Sequence, residues 1–422
     1  MQSAEPRPRP PKCENSKIDL EIEAMPLTET KFLPFNRSFI EEQDIEEVVQ
    51  VLRSGWLTTG PRVKQFEAAF CEFTGAAHAV ALNSCTAALH LSLAAIGITD
   101  GDEVIIPTMT FASTGETVLY LRARPVLVDC APNSFHVDPN KIEAAITERT
   151  KAIIPVHYAG YAGDMDAILD IGKRHGLKVI EDAAHAFPST HKGRTVGNMG
   201  DMTCFSFYAT KTLTTGEGGM VTTQNERYAE RIRSLSLHGI SKDAWKRYSA
   251  EGSWRYDIQE VGYKYNLTDL QAGLGLAQLA KYKEAHALRT ELAKRYDSGL
   301  MGVEAFATPV VPPDVTHAWH LYVLQVVPGI LSIGRDRIIE ELKNRGIGTS
   351  VHFIPLHLHS LYQSIGYREG QFPNAEARFN GAISLPLYPG MTGEDSDRVI
   401  EALRDIANGF RKSSRAAIKS RP

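Results

Sequence analysis

The chain has 422 residues, 43% hydrophobic and 23% charged, with 46 Lys and Arg against 50 Asp and Glu for a formal net charge of −4. That length can hold two domains with full cores, and the charge balance excludes a global field that recruits nucleic acid or an anionic membrane. The five cysteines, Cys13, Cys71, Cys85, Cys130 and Cys204, form no C-x-x-C pair, so neither a disulfide framework nor a zinc knuckle is indicated.

Residues 1–30 read as a flexible leader, rich in proline and without periodicity. Its start, "MQSAEPRPRPPKCENSK", lacks the apolar core of a secretory signal. No apolar run reaches the ~18 residues of a membrane span, so a cytoplasmic protein is expected. In "FIEEQDIEEVVQVLRSG", Ile40, Ile45, Val48, Val49 and Leu52 share one helical face, and Gly55 follows the helix end. "TAALHLSLAAIG" reads as a buried helix stopped at Gly97. Then come "EVIIP" (103–107), "PVLVD" (125–129), "KAIIPV" (151–156), "KVIED" (178–182) and "TCFSF" (203–207), short apolar runs of the buried parallel type, with helical stretches between several of them. The alternation predicts an α/β domain over residues 31–290, with a mostly parallel sheet sandwiched by helices. A long helical region follows "YNLTD". Beyond it "HAWHLYVLQVV" and "TSVHFIPLH" read as strands around the amphipathic helix "RDRIIEELKNRG". These form a smaller C-terminal α+β domain over 291–410, ahead of a basic tail at 411–422.

Ligands of open α/β sheets sit at the carboxyl ends of strands, and three features fall at such ends. Asn83 and Ser84 are good N-caps for the helix that follows, whose free N–H groups suit a phosphate. Thr86 adds a hydroxyl there, although read alone the segment is better explained as a plain capped helix. "KVIEDAAHAF" ends a strand on Glu181 and Asp182, with His185 three residues on. A buried strand-end carboxylate needs a partner such as a protonated ring nitrogen. The alternative is an N-cap aspartate beside a core histidine. In "FSFYATKTLTTGEGG", Lys211-Thr212 invites comparison with a phosphate-binding loop, but Thr210 and Ser206 stand where that motif needs glycines. The glycines come afterwards, at 216, 218 and 219. A lysine close behind a buried strand can instead act as a Schiff-base amine when desolvation lowers its pKa.

Strand-end acid, helix N-terminus and lysine are the three anchors that pyridoxal 5'-phosphate requires. Phe111, in "PTMTFAS", sits where it could stack on a flat ring. The segments "SGWLTTGPRVKQFE", "NSCTAALH", "GDEVIIPTMTFAST", "VIEDAAHA", "FSFYATKTLTTGEGGM", "GYKYNLTDLQAGLGLAQL" and "VHFIPLHLH" together cover about residues 34–390. In them the chain resembles the DegT/DnrJ-type sugar-nucleotide aminotransferases, of the fold type I pyridoxal-phosphate class. The resemblance implies that Lys211 forms the internal aldimine and shuttles the proton, that Asp182 pairs with the pyridine nitrogen, and that His185 lies near the phenolic oxygen. It implies a phosphate held by the Cys85–Thr86 backbone, the Thr86 hydroxyl, Ser206, and Asn266 from a second subunit, hence a homodimer with shared sites. His352 and His357 are substrate-facing candidates by the same likeness.

The expected reaction is transfer of an amino group from L-glutamate to a keto group of a nucleotide-linked deoxysugar. A keto-cyclitol aminotransferase shares every motif. A sugar dehydratase of the family carries histidine in place of Lys211, and a non-catalytic regulator would keep the lysine. His352, His357 and His359 lie close together but lack a clear carboxylate partner, so no metal is expected. The Asn266-Leu267-Thr268 sequon reads as chance.

Overall fold

A computed structural model describes residues 32–240 and 256–412; the expected leader, and the expected tail beyond Lys412, lie outside the described residues. In chain order the helices are α1 (Glu42–Ser54), α2 (Pro61–Thr74), α3 (Cys85–Ala95), α4 (Ala112–Tyr120), α5 (Pro139–Ala144), α6 (Met165–His175), α7 (Glu226–Leu235), α8 (Asp269–Ala280), α9 (Tyr282–Leu300), α10 (Arg335–Asn344), α11 (Ser360–Ser364), α12 (Pro373–Gly381) and α13 (Gly393–Gly409). The strands are β1 (His78–Leu82), β2 (Glu103–Pro107), β3 (Arg124–Val128), β4 (Thr150–Ile153), β5 (Lys178–Asp182), β6 (Thr190–His191), β7 (Arg194–Thr195), β8 (Met202–Ser206), β9 (Gly219–Thr223), β10 (Phe306–Ala307), β11 (Val315–Thr316), β12 (Tyr322–Val326) and β13 (Ala382–Leu385).

The main sheet runs β1-β9-β8-β5-β4-β2-β3. All of its pairings are parallel except those of β9, which is antiparallel to both β1 and β8. Alternation along each strand feeds two cores. Val80, Leu82, Val104 and Ile106 face α3, α4 and α7, while Ala79, Ala81 and Ile105 face α2, α6 and α8. This is the helix-covered, mostly parallel sheet expected of a fold type I aminotransferase. A third core, with Leu292, Tyr296, Tyr322, Leu324, Ile383 and Leu403, joins the antiparallel sheet β10-β12-β13 to α9, α10 and α13.

Several expectations shift in detail. Among the described residues the expected apolar face of α1 is only partly covered: Ile45 and Leu52 are about half exposed, and the helix buries Asp44 and Val51 instead. Asp44 accepts from Gln278 Nε2 at 2.9 Å and pairs with Lys281, and Val51 meets Gly273, so charge pairing with α8 and α9 sets the helix rotation. "TSVHFIPLH" is not a strand; it is extended chain leading to a 3-10 turn at Leu356–Leu358, touching β13 through one Ser350–Ser384 bridge. The long helical region breaks at Lys281 into α8 and α9. Thr268, the sequon's last residue, is the N-cap of α8 and accepts from Gln271 N–H. Among the described residues no helix is long and apolar enough to cross a membrane.

Candidate active site

At the carboxyl ends of β5 and β8, facing the N-terminus of α3, lies a cavity of about 370 Å³. Cys85, Thr86, Phe111, Asp182, His185, Ser206, Lys211 and His352 all line it. A more open cleft of about 730 Å³ between α2 and the α8–α9 junction carries none of these groups.

The anion-binding end is built from α3. Ser84 caps the helix, its Oγ accepting from Ala87 N–H at 3.0 Å, and this leaves the first-turn N–H groups of Cys85 and Thr86 without helical partners. β9 passes close against this turn. A Cβ on Gly219 would stand 2.4 Å from the Ser84 carbonyl and 2.7 Å from Cys85 N, so only glycine fits. The glycines after the lysine therefore pack the loop against the helix.

Asp182 ends β5 and is 4% exposed. Its Oδ2 accepts from Thr114 Oγ1 at 2.7 Å and its Oδ1 from Ala184 N–H at 3.2 Å, while Thr110 Oγ1 supports Thr114 at 2.6 Å. Burial pushes this carboxyl above its ordinary range despite those bonds. Its neighbour Glu181 points to the other face of the sheet. Burial pushes Glu181 up, but bonds from His157 Nε2, Gly200 N–H and Thr203 Oγ1, each at 2.7 Å, outweigh it and hold the carboxylate low. Of two adjacent acids, one is closed off in structure and one keeps bonding capacity towards the cavity.

No helix follows Asp182. The chain turns instead, and the turn brings His185 into the cavity. Its Nδ1 accepts from Ala159 N–H at 3.3 Å, which leaves the proton on Nε2, and burial holds the ring neutral. Lys211 retains some exposed surface as a residue, yet burial of its amine lowers the pKa to about 8. Phe111, at the entrance to α4, is 58% exposed and offers an open ring face in contact with Phe353, their centroids 5.5 Å apart.

One expected residue lies elsewhere, and Asn266, expected to act from a second subunit, stands outside this chain's own cavity. His357 is not a cavity residue: it is fully buried, with Nδ1 2.7 Å from Thr108 Oγ1 and Nε2 3.0 Å from Glu376 Oε1, so both ring nitrogens are engaged in structure. Asn266 is absent from the lining of this cavity and donates to Thr59 Oγ1 at 2.7 Å. Three lining or supporting residues carry no sequence signal of their own: Thr114 one turn into α4, Phe353, and His320 just ahead of β12. Among the described residues no group of His, Cys, Asp and Glu is placed to hold a metal ion.

The donor set fits pyridoxal phosphate. A buried acid with spare lone pairs suits the ring nitrogen, a desolvated amine suits the aldehyde carbon, and a capped helix N-terminus with two hydroxyl residues suits the phosphate.

Comparison with known proteins agrees. Residues 38–404 match the model of the DegT/DnrJ/EryC1/StrS aminotransferase family. The spore coat polysaccharide biosynthesis protein SpsC of Bacillus subtilis (strain 168) is 53% identical over 380 residues, covering 90% of this chain and 98% of its own. Among solved structures, Spr1654 of Streptococcus pneumoniae, named as a sugar aminotransferase, superposes in its PLP-form with a TM-score of 0.84 at 36% identity, over 90% of this chain and 99% of that one. PseC of Helicobacter pylori, an aminotransferase involved in the biosynthesis of pseudoaminic acid, does so with 0.84 at 29% identity, over 90% and 100%.

Proposed function

The chain belongs to the DegT/DnrJ/EryC1/StrS aminotransferase family, and from that premise we propose that it uses pyridoxal phosphate to move an amino group from L-glutamate to a keto group of a nucleotide-linked deoxysugar, in two successive half-reactions. The observation that carries this reading is the convergence of Asp182 and Lys211 on one cavity, opposite the N-terminus of α3. The kinship with a polysaccharide biosynthesis protein supports a sugar as acceptor.

The cofactor, when bound, supplies an electron sink for the pair released from the donor's Cα–H bond. The chain's own groups do the rest. The first-turn N–H groups of α3, with the Thr86 and Ser206 hydroxyls, hold the phosphate. Asp182 holds a proton at the pyridine nitrogen, and Thr114 fixes the orientation of that carboxylate. With Nε2 carrying its proton, His185 would donate to the cofactor's phenolic oxygen, and Phe111 would supply an apolar face to its ring. Lys211 would hold the cofactor and move the Cα proton; burial raises the neutral fraction that this work needs. His352, its Nδ1 2.8 Å from Ser384 Oγ, is the substrate-facing histidine at the mouth.

The exposed apolar face of α1, continued by Trp56 and Leu57, is what a second copy of the chain would cover. The segment bearing Trp56 and Thr59 bonds to Asn266, so that interface would bring Asn266 to the partner's cavity. Lysine at 211 favours transamination over dehydration.

Lys211→Ala decides the central claim. The expected result is loss of the cofactor's visible absorbance band and of the stoichiometric conversion driven by L-glutamate; a variant that keeps both refutes it. Nucleotide-linked ketosugars and keto-cyclitols, assayed side by side, separate the two acceptor classes.

A further inference from the structure

His320 has no part in the chemistry described so far, yet its ring lies within hydrogen-bond reach of Lys211. Its Nε2 stands 3.5 Å from the lysine Nζ, at the long limit of a hydrogen bond, and the residue is 5% exposed. Its other nitrogen, Nδ1, is buried and meets no partner among the described residues. Nothing else therefore fixes the tautomer of the ring. The imidazole can accept at Nε2 from an ammonium, or carry its proton there and donate to a neutral amine.

The backbone holds this ring in place from both sides. Ala318 N–H donates to Gly160 O at 2.7 Å, and Leu321 N–H to Ala159 O at 3.0 Å. Trp319 adopts a φ of +51°, and its carbonyl accepts from Arg289 Nη1, which also bonds Leu387 O at 2.7 Å. Arg289 is buried, and among the described residues no carboxylate offsets that burial. Burial disfavours an imidazolium at 320, and the charges of Lys211, His185 and Arg289 add to its cost. The ring also packs 4.4 Å from that of His185. The charged and titratable groups around the amine are thus Asp182 from β5, Cys85 from α3, and His185, His320 and His352 from the loops.

We propose that His320 is a positioning residue for Lys211: it meets the amine through Nε2 in either protonation state and keeps it in place between successive proton transfers. The proposal rests on the reading of Lys211 as the cofactor-bearing, proton-moving amine. It adds why a neutral histidine, and neither an acid nor a second cation, faces it. An acid would hold the amine as an ammonium, and a cation would repel it.

The test uses the full-length protein with His320→Asn, His320→Gln and His320→Phe. In the cofactor-free form, the pH midpoint for modification of Lys211 by trinitrobenzenesulfonate is followed by mass spectrometry. An acceptor stabilises the ammonium more than the amine, so Phe and the too-short Asn should lower the midpoint by about 0.7 pH unit. Gln, which reaches further and can accept or donate, should restore it. In the cofactor-loaded form the rate constant with L-glutamate should fall about tenfold for Asn and Phe, with KM little changed and Gln in between. Wild-type midpoints and rate constants in folded Asn and Phe variants would overturn the proposal. The midpoint needs no cofactor, so it judges the His320–Lys211 pairing even if Lys211→Ala shows the lysine not to be the anchor.

Discussion

Replacing Gly219 by alanine tests the construction of the anion-binding end without touching a reacting group. The added Cβ would stand 2.4 Å from the Ser84 carbonyl carbon and oxygen and 2.7 Å from Cys85 N, where ordinary contact begins near 3.4 Å. All three are backbone atoms, so no rotamer change relieves the overlap. Either β9 or the first turn of α3 must move. Overpacking of this kind costs about 1–3 kcal/mol of stability. The larger effect falls on the ligand, because the displaced turn carries the N–H groups proposed for the phosphate. Charge-assisted bonds of that type contribute about 1.5–3 kcal/mol, so cofactor affinity should weaken about ten- to hundredfold. Titration of the cofactor-free protein with pyridoxal phosphate, followed by absorbance, gives the Kd. Gly216→Ala is the control. It lies in the same loop at φ +79°, with nothing within 4 Å of its added Cβ. It should cost about 1 kcal/mol of strain while leaving Kd within about twofold. Wild-type affinity in Gly219→Ala, or equal losses in both variants, would refute the assignment of the phosphate to this turn.

Asp182→Asn should leave the fold intact and lower the transamination rate by orders of magnitude, since an amide cannot hold a proton at the ring nitrogen; near-normal kcat would remove the pairing. Acid should destabilise the protein through its buried histidines. Burial lowers His136 to about 4, His317 to about 3 and His352 to about 4, against about 6.5 in the unfolded chain. As pH falls from 6.5 towards 4 the unfolded chain binds protons that the folded one refuses, so stability drops across that window, by about 3 kcal/mol for each such group. Urea midpoints measured from pH 7.5 to 4.5 should fall steadily, and His136→Gln should flatten the slope. An unchanged slope in that variant would show that its ring is already charged in the fold.

The strands that carry the site were legible in the sequence. "EVIIP" and "KVIED" are β2 and β5 residue for residue, because a strand buried on both faces writes itself as an apolar run. β1 and β9 were not legible: "HAVAL" and "GMVTT" are short, and their small residues fit helix or loop as well. The helix N-terminus, Asp182, His185 and Lys211 carried local signals, a cap, a strand end and a lysine close behind a buried strand. His320 had none, since it reaches Lys211 across 109 residues by a loop whose path is fixed by Arg289 and by Ala159 and Gly160. His357 misled for the opposite reason. It sits in a conspicuous histidine-rich run, but Thr108 and Glu376 claim both of its nitrogens. The rotation of α1 was hidden as well, because a buried Asp44–Lys281 pair outweighed the apolar stripe.

The cavity is closed by residues as far apart in the chain as Ser84 and Phe353. A chain growing from its N-terminus carries Asp182 and Lys211 well before His320 and His352 have been made. A ligand that needs the closed cavity therefore engages the finished fold and not the nascent or unfolded chain. Its binding then adds to stability by mass action, about 2.7 kcal/mol at a hundred times its Kd. Vitamin supply would on this account govern how long each chain survives proteolysis as well as how fast it turns over.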